Sequence, residues 1–154
     1  MTTTPDIRTR KIPPSEFQLI APYAYSDDDG SIVQIPIIHE ENESGFTRHY
    51  GFVTDMRSGG KWVSAILGDK FGTAYDAAWI NHDWRYAYHR KLNLTRKQAD
   101  KLLKHDLHKL GMSRIKASVA YAGVRIGGRW AFDRNDKIAD TDSYHYDEIP
   151  AACK

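Results

Sequence analysis

The chain has a single cysteine, Cys153, next to the C-terminus. No internal disulfide can form, so folding does not depend on oxidation. Nowhere do about 18 apolar residues run together, which excludes a transmembrane helix from the sequence. Net charge is also nearly absent: 22 Lys and Arg against 20 Asp and Glu leave +2. A balance that small lends no support to a nucleic-acid partner. The first residues, Met1-Thr2-Thr3-Thr4-Pro5-Asp6, lack the basic and then apolar pattern of a signal peptide, so the cytoplasm is the expected site of synthesis. No internal repeat or low-complexity block is visible. What is present is ordinary for a globular chain: 154 residues, 41% hydrophobic and 27% charged, with nine Tyr and four Trp. That length fits one domain able to bury a core without staples.

The first third reads as β. Residues 1–14, with four Thr, three Pro and scattered Arg and Lys, are expected to be a loosely ordered arm. Phe17 to Tyr25 mixes apolar and aromatic residues, and Ser26 to Ser31 is a turn with Gly30 available for positive φ. Ile32 to Ile38 follows, with Pro36 pushing it towards a sheet edge. A polar turn, Glu40 to Gly45, leads to a third strand candidate, Phe46 to Val53. A small antiparallel sheet or a pair of hairpins is the simplest arrangement.

From Asp55 the pattern changes. Arg57 to Lys61 is a glycine-bearing loop, and Trp62 to Leu67 has room for one or two helical turns. Thr73, with Asp76 three residues on, opens a helix running to about Arg90 and closed by Asn93. Thr95 with Gln98 forms a second capping box, opening a helix that Gly111 stops after Leu110. Ser113 caps a third helix, whose apolar stripe Ile115, Val119, Ala122 and Ile126 keeps helical period until Gly127-Gly128. Residues 133–154 are rich in Asp and poor in aliphatics, and read as an extended acidic tail with a docking strand as one option. The expected fold is therefore α+β: N-terminal antiparallel hairpins or a small sheet, then three helices, forming a single domain over 15–132.

The chemistry concentrates on the first helix, in Trp79-Ile80-Asn81-His82-Asp83-Trp84-Arg85-Tyr86. His82 and Tyr86 are four apart and share a face. Asp83 is turned about 100° from His82. The short connector Lys91 to Thr95 should pack the second helix antiparallel, bringing Asp100 or Asp106 within reach of His82. A carboxylate on one ring nitrogen sets the tautomer and leaves the other free to take a proton from water. Asp83 would then hold a hard cation that polarises a carbonyl. A purely structural arrangement has the same ingredients, since a buried His bonded to an Asp across a helix pair holds the pair in register. Both readings stay open at this point.

Other features are plainer. Thr54 to Gly60 contains Asp55, which could complete a cation site with Asp83 or simply end a strand in an Asx turn. His105 and His108 lie among Lys101, Lys104 and Lys109 and read as a solvated basic face. Arg125 before Gly127-Gly128 reads either as an anion contact or as a helix end followed by a reversal.

The order Gly51-Phe52-Val53-Thr54-Asp55, then Ser58, Ala78 to Tyr86, Ala99-Asp100, Leu110-Gly111 and Tyr121 to Gly128 resembles the family called domain of unknown function 1353. The resemblance covers about residues 45–130. It implies a phage or prophage origin and no established activity. One departure is Gly59-Gly60, where that family usually has an aliphatic residue and proline.

A second, local resemblance bears on mechanism. His82-Asp83-x-x-Tyr86 followed by a helix with Asp100 is similar to the active-site helices of phospholipase A₂. By that resemblance His82 activates water, Asp83 binds calcium, and Asp100 orients His82 with help from Tyr86. Ala78, Trp79 and Arg85 stand where the secreted enzymes have cysteines, and no glycine-rich calcium loop is recognisable. The resulting expectation is a phage accessory or virion-associated protein, made in the host cytoplasm, with a calcium-dependent lipid ester hydrolase site facing envelope lipid. The rival is a phage structural or host-interaction protein that binds virion partners and uses the same cluster only to hold its helices. A metal-dependent phosphohydrolase would need further His and Asp ligands at helical spacing, which the chain lacks.

Overall fold

A computed structural model describes residues 7–12, 16–26, 32–54, 74–137 and 145–150. These fall into two compact units: strands from 7–54 with 145–150, and helices from 74–137.

The strand unit contains β1 (Thr9–Ile12), β2 (Glu16–Leu19), β3 (Tyr23–Ser26), β4 (Ile32–Ile35), β5 (Ile38–Glu41), β6 (Thr47–Thr54) and β7 (Tyr146–Glu148). A five-stranded antiparallel sheet runs β1-β2-β6-β5, with β7 also paired to β6. β3 and β4 form a separate two-stranded hairpin in the register Tyr23↔Ile35 and Tyr25↔Val33. Those four residues are buried, while Ala24, Ser26, Ile32 and Gln34 between them are exposed. This is the period-two alternation of a sheet with one dry face. The expected run from Phe17 to Tyr25 is two strands, divided around Pro22, which cannot donate to a ladder. Ile32 to Ile38 divides in the same way at Pro36.

At the ends, one expectation is corrected and one open option is taken up. Within the supposedly loose arm 1–14, Thr9–Ile12 is a strand paired with β2. Near the other end, Tyr146–Glu148 pairs with β6 from Tyr50 to Phe52, so this part of the tail is the docking strand. The reason is a buried polar hub invisible to hydropathy. Gln18, fully buried, accepts from Arg10 and donates to the Asp147 carbonyl and to the Gly51 carbonyl (3.4 Å), while Arg10 reaches the Glu148 carbonyl at 3.1 Å. Gly51 is needed at this crossing. A Cβ there would lie 1.8 Å from the Leu19 carbonyl oxygen.

The helical unit contains α1 (Asp76–Ala87), α2 (Arg96–Lys109), α3 (Arg114–Gly127) and α4 (Arg129–Lys137). Four helices among the described residues replace the expected three. α4 takes the first residues of the expected extended tail, and Phe132 explains why. Its ring packs 5.1 Å from Tyr86 and 4.1 Å from His89, anchoring the segment on α1. The Thr95–Gln98 capping box forms in full, and Gly111 ends α2 with φ +95°. Ser113 caps α3 by accepting from the Lys116 amide. α1 begins at Tyr75 with no side-chain cap, and the expected cap Thr73 lies outside the described residues. So do Asp55, the Arg57–Lys61 loop and the Trp62–Leu67 segment.

α3 faces the other way from the expectation. Ala117, Ala120, Gly123 and Val124 are its buried side, whereas Ile115 and Ile126 are 79% and 74% exposed. Small residues let α3 lie close against α2, and the larger aliphatics are left outside.

Candidate functional site

The site is built from three helices of one unit. α1 contributes two interleaved pairs at i, i+4 spacing, Asn81 with Arg85 and His82 with Tyr86, all buried. α2 meets them with two fully buried carboxylates, Asp100 and Asp106. The sequence left open which of these serves His82. Asp100 does. Its Oδ1 lies 3.0 Å from His82 Nε2 and accepts from the Tyr86 hydroxyl at 2.5 Å. Its Oδ2 accepts from Arg125 Nη1 of α3 at 2.7 Å.

Asp106 belongs to the other pair. Its Oδ2 accepts from Arg85 Nη1 at 2.6 Å and from Asn81 Nδ2 at 3.1 Å, while Oδ1 is buried without a hydrogen bond. Burial raises the Asp106 pKa, and Arg85 and Asn81 only partly oppose it.

At Asp100 the balance is reversed. Burial pushes its carboxyl up, but the bonds from His82, Tyr86 and Arg125 together hold it below the usual carboxylate range. An ionised Asp100 is thus the acceptor for three donors. Burial and then the adjacent Asp100 push the Tyr86 phenol up, so it stays protonated as a donor. For His82, burial is the largest influence and disfavours the imidazolium. The hydrogen bond to Asp100 and the nearby Asp83 carboxylate outweigh it, and the pKa stands above its ordinary 6.5.

The remaining ring nitrogen carries the functional question. His82 Nδ1 is buried and has no hydrogen-bond partner. Asp83 Oδ1 is 3.8 Å away, close enough for charge attraction but too far for a hydrogen bond. It shares this condition with Asp106 Oδ1, but a bare nitrogen on a ring whose other nitrogen is held by a carboxylate has a chemical use, and so calls for an explanation. His82 and Asp100 have no side-chain exposure, Asp83 is 10% exposed and Arg125 30%.

The residues expected to act together are therefore found together for His82, Asp83, Tyr86 and Asp100. Asp55, the expected second metal ligand, lies outside the described residues. Among the described residues no group of three or more His, Cys, Asp or Glu side chains gathers as a metal site. Asp83 would supply one hard oxygen to a calcium ion. The six to eight oxygens that calcium takes would have to be completed from elsewhere. Arg125 was undervalued by the sequence reading. Its partner lies 25 residues away, and the available signal was a basic residue near the end of a helix.

The comparisons with known proteins name a family without an activity. A family model described as Protein of unknown function (DUF1353) matches residues 17–124, so the chain belongs to that family. No curated protein and no solved structure matches it.

Proposed function

We propose, taking membership of this family as the premise, that the chain is a phage-encoded accessory or virion-associated protein that hydrolyses a lipid ester at His82. The phage assignment rests on the family resemblance. The chemistry rests on one observation, the buried and unpartnered Nδ1 of a histidine whose Nε2 is held by an ionised aspartate.

With Nε2–H donating to Asp100, the neutral ring presents the Nδ1 lone pair. That nitrogen removes a proton from water as the water oxygen attacks the ester carbonyl carbon. The imidazolium formed is stabilised by Asp100 and Asp83 on its two sides, then returns the proton to the leaving alcohol oxygen. Tyr86 and Arg125 hold Asp100 in place and keep it charged. The same carboxylates raise the His82 pKa, so turnover should climb with pH as the imidazolium deprotonates above its ordinary 6.5. Calcium is the cation proposed for Asp83, where it would polarise the carbonyl and steady the oxyanion.

Complete burial of His82 and Asp100 favours a second reading, in which the cluster only ties α1, α2 and α3 together. The deciding experiment combines fluorogenic phospholipid turnover with calorimetric calcium titration on wild type, Asp83→Asn and His82→Ala, each checked by thermal melting. Turnover lost in both folded variants, with calcium binding lost in Asp83→Asn, supports the hydrolase. No turnover and no calcium binding by folded wild type rejects it. In that case His82→Ala should read only as lost stability, about 1–3 kcal/mol.

A further inference from the structure

The small net charge of the chain conceals a strong separation. Residues 96–130 carry nine Lys and Arg against two Asp, while the rest has thirteen basic and eighteen acidic residues. Both of those Asp, Asp100 and Asp106, are fully buried and paired to arginines. The exposed charge of this stretch is thus entirely cationic. Lys97, Lys101 and Lys104 of α2, Arg114 and Lys116 of α3, and Arg129 of α4 are all exposed.

Among the described residues, three of the six large apolar side chains left exposed lie on these helices. Ile115 and Ile126 stand three turns apart on α3, with Val119 and Ala122 between them in the same row. At 100° per residue this row is opposite the buried side of Ala117, Ala120 and Val124. Trp130 follows four residues after Ile126 and is 88% exposed. Apolar residues at this exposure, flanked mainly by positive charge, with the exposed carboxylate of Asp133 paired to Arg129 at 3.4 Å, form an amphipathic surface.

We propose that the outer face of α3 and the start of α4 is a docking surface for an anionic lipid membrane. Ile115, Ile126 and Trp130 enter the boundary between headgroups and acyl chains, and the lysines and arginines beside them meet the anionic headgroups. The helix lies in the interface plane; no described helix is long and apolar enough to cross a membrane. A two-fold contact along α3 would bring Arg114 and Lys116 towards Arg129, whose charge Asp133 only partly offsets, so net charge favours an anionic lipid surface over a second copy of the chain. The apolar row decides against nucleic acid, which would be met by the cations alone. The proposal stands on this surface and holds whether or not His82 does chemistry.

The test is cosedimentation of the full chain with phosphatidylcholine vesicles, with and without phosphatidylglycerol, at low and high salt. The wild type should partition onto the anionic vesicles and much less onto the neutral ones. The triple variant Ile115→Ser/Ile126→Ser/Trp130→Ser, altered only at exposed positions, should melt as the wild type does and lose more than about tenfold in partition. Lys116→Glu/Arg129→Glu should lose the preference for phosphatidylglycerol. Absence of binding to anionic vesicles at low salt overturns the proposal. So does binding that the apolar triple variant retains, or duplex DNA that competes equally for wild type and that variant. A concentration-dependent dimer that the triple variant abolishes would assign the face to a second copy instead.

Discussion

Asp100→Asn is the sharpest probe of the buried cluster, because it preserves shape and removes charge. In the native protein Asp100 accepts from His82 Nε2 (3.0 Å), Tyr86 (2.5 Å) and Arg125 (2.7 Å) with no side-chain exposure. A bond to a charged group contributes about 1.5–3 kcal/mol and a neutral one about 0.5–1.5, so the two bonds kept by the amide oxygen weaken by roughly 1 kcal/mol each. The bond from Arg125 meets the NH2, which cannot accept, and is lost. Arg125 is 30% exposed and recovers part of its loss in water, which leaves about 2–3 kcal/mol. Out of a total stability of roughly 5–15 kcal/mol that is readily measured by denaturant unfolding. The pH dependence is the more specific signature. The folded pKa of His82 is raised, so its contribution is complete below 6.5 and lost as pH rises through the folded value. The folded pKa of Asp100 is lowered, so its contribution is complete above 3.8 and lost as pH falls through the folded value. The stability difference between wild type and Asp100→Asn should therefore form a plateau between about 3.8 and 6.5 and shrink on either side. Taking a difference cancels the other histidines. A difference below about 1 kcal/mol, or one that is flat across this range, would refute the ion-pair account.

Two further substitutions test the neighbouring structure. Arg85→Ala leaves Asp106 buried with Asn81 as its remaining hydrogen-bond partner, and should cost about 3–5 kcal/mol at neutral pH in a chemical melt. Because Asp106 already has a raised pKa, the variant should recover stability on mild acidification as the carboxyl takes a proton. Gly51→Ala sets a methyl against the Leu19 carbonyl, and should destabilise the strand unit by about 3 kcal/mol or more, seen as lost amide protection in β2 and β6 with the helices unaffected.

Local chemistry was legible in the chain wherever a short-range rule governs it. The Thr95–Gln98 box, the Gly111 stop, the Ser113 cap and the pairing of His82 with Tyr86 at one turn are all properties of neighbours in sequence, and each forms. The α+β class follows from the change of hydrophobic period near residue 55. Tertiary structure decided what depends on distant partners. Asp100 rather than Asp106 serves His82, and Arg125 closes the cluster, because the packing of α1, α2 and α3 sets those distances. Phe132 turns the beginning of an apparent tail into α4 by finding Tyr86 and His89. α3 presents Ile115 and Ile126 outwards because its small residues, lower in hydropathy, allow the closer helix contact. A periodic pattern identifies an amphipathic helix, but close packing chooses which of its faces is buried.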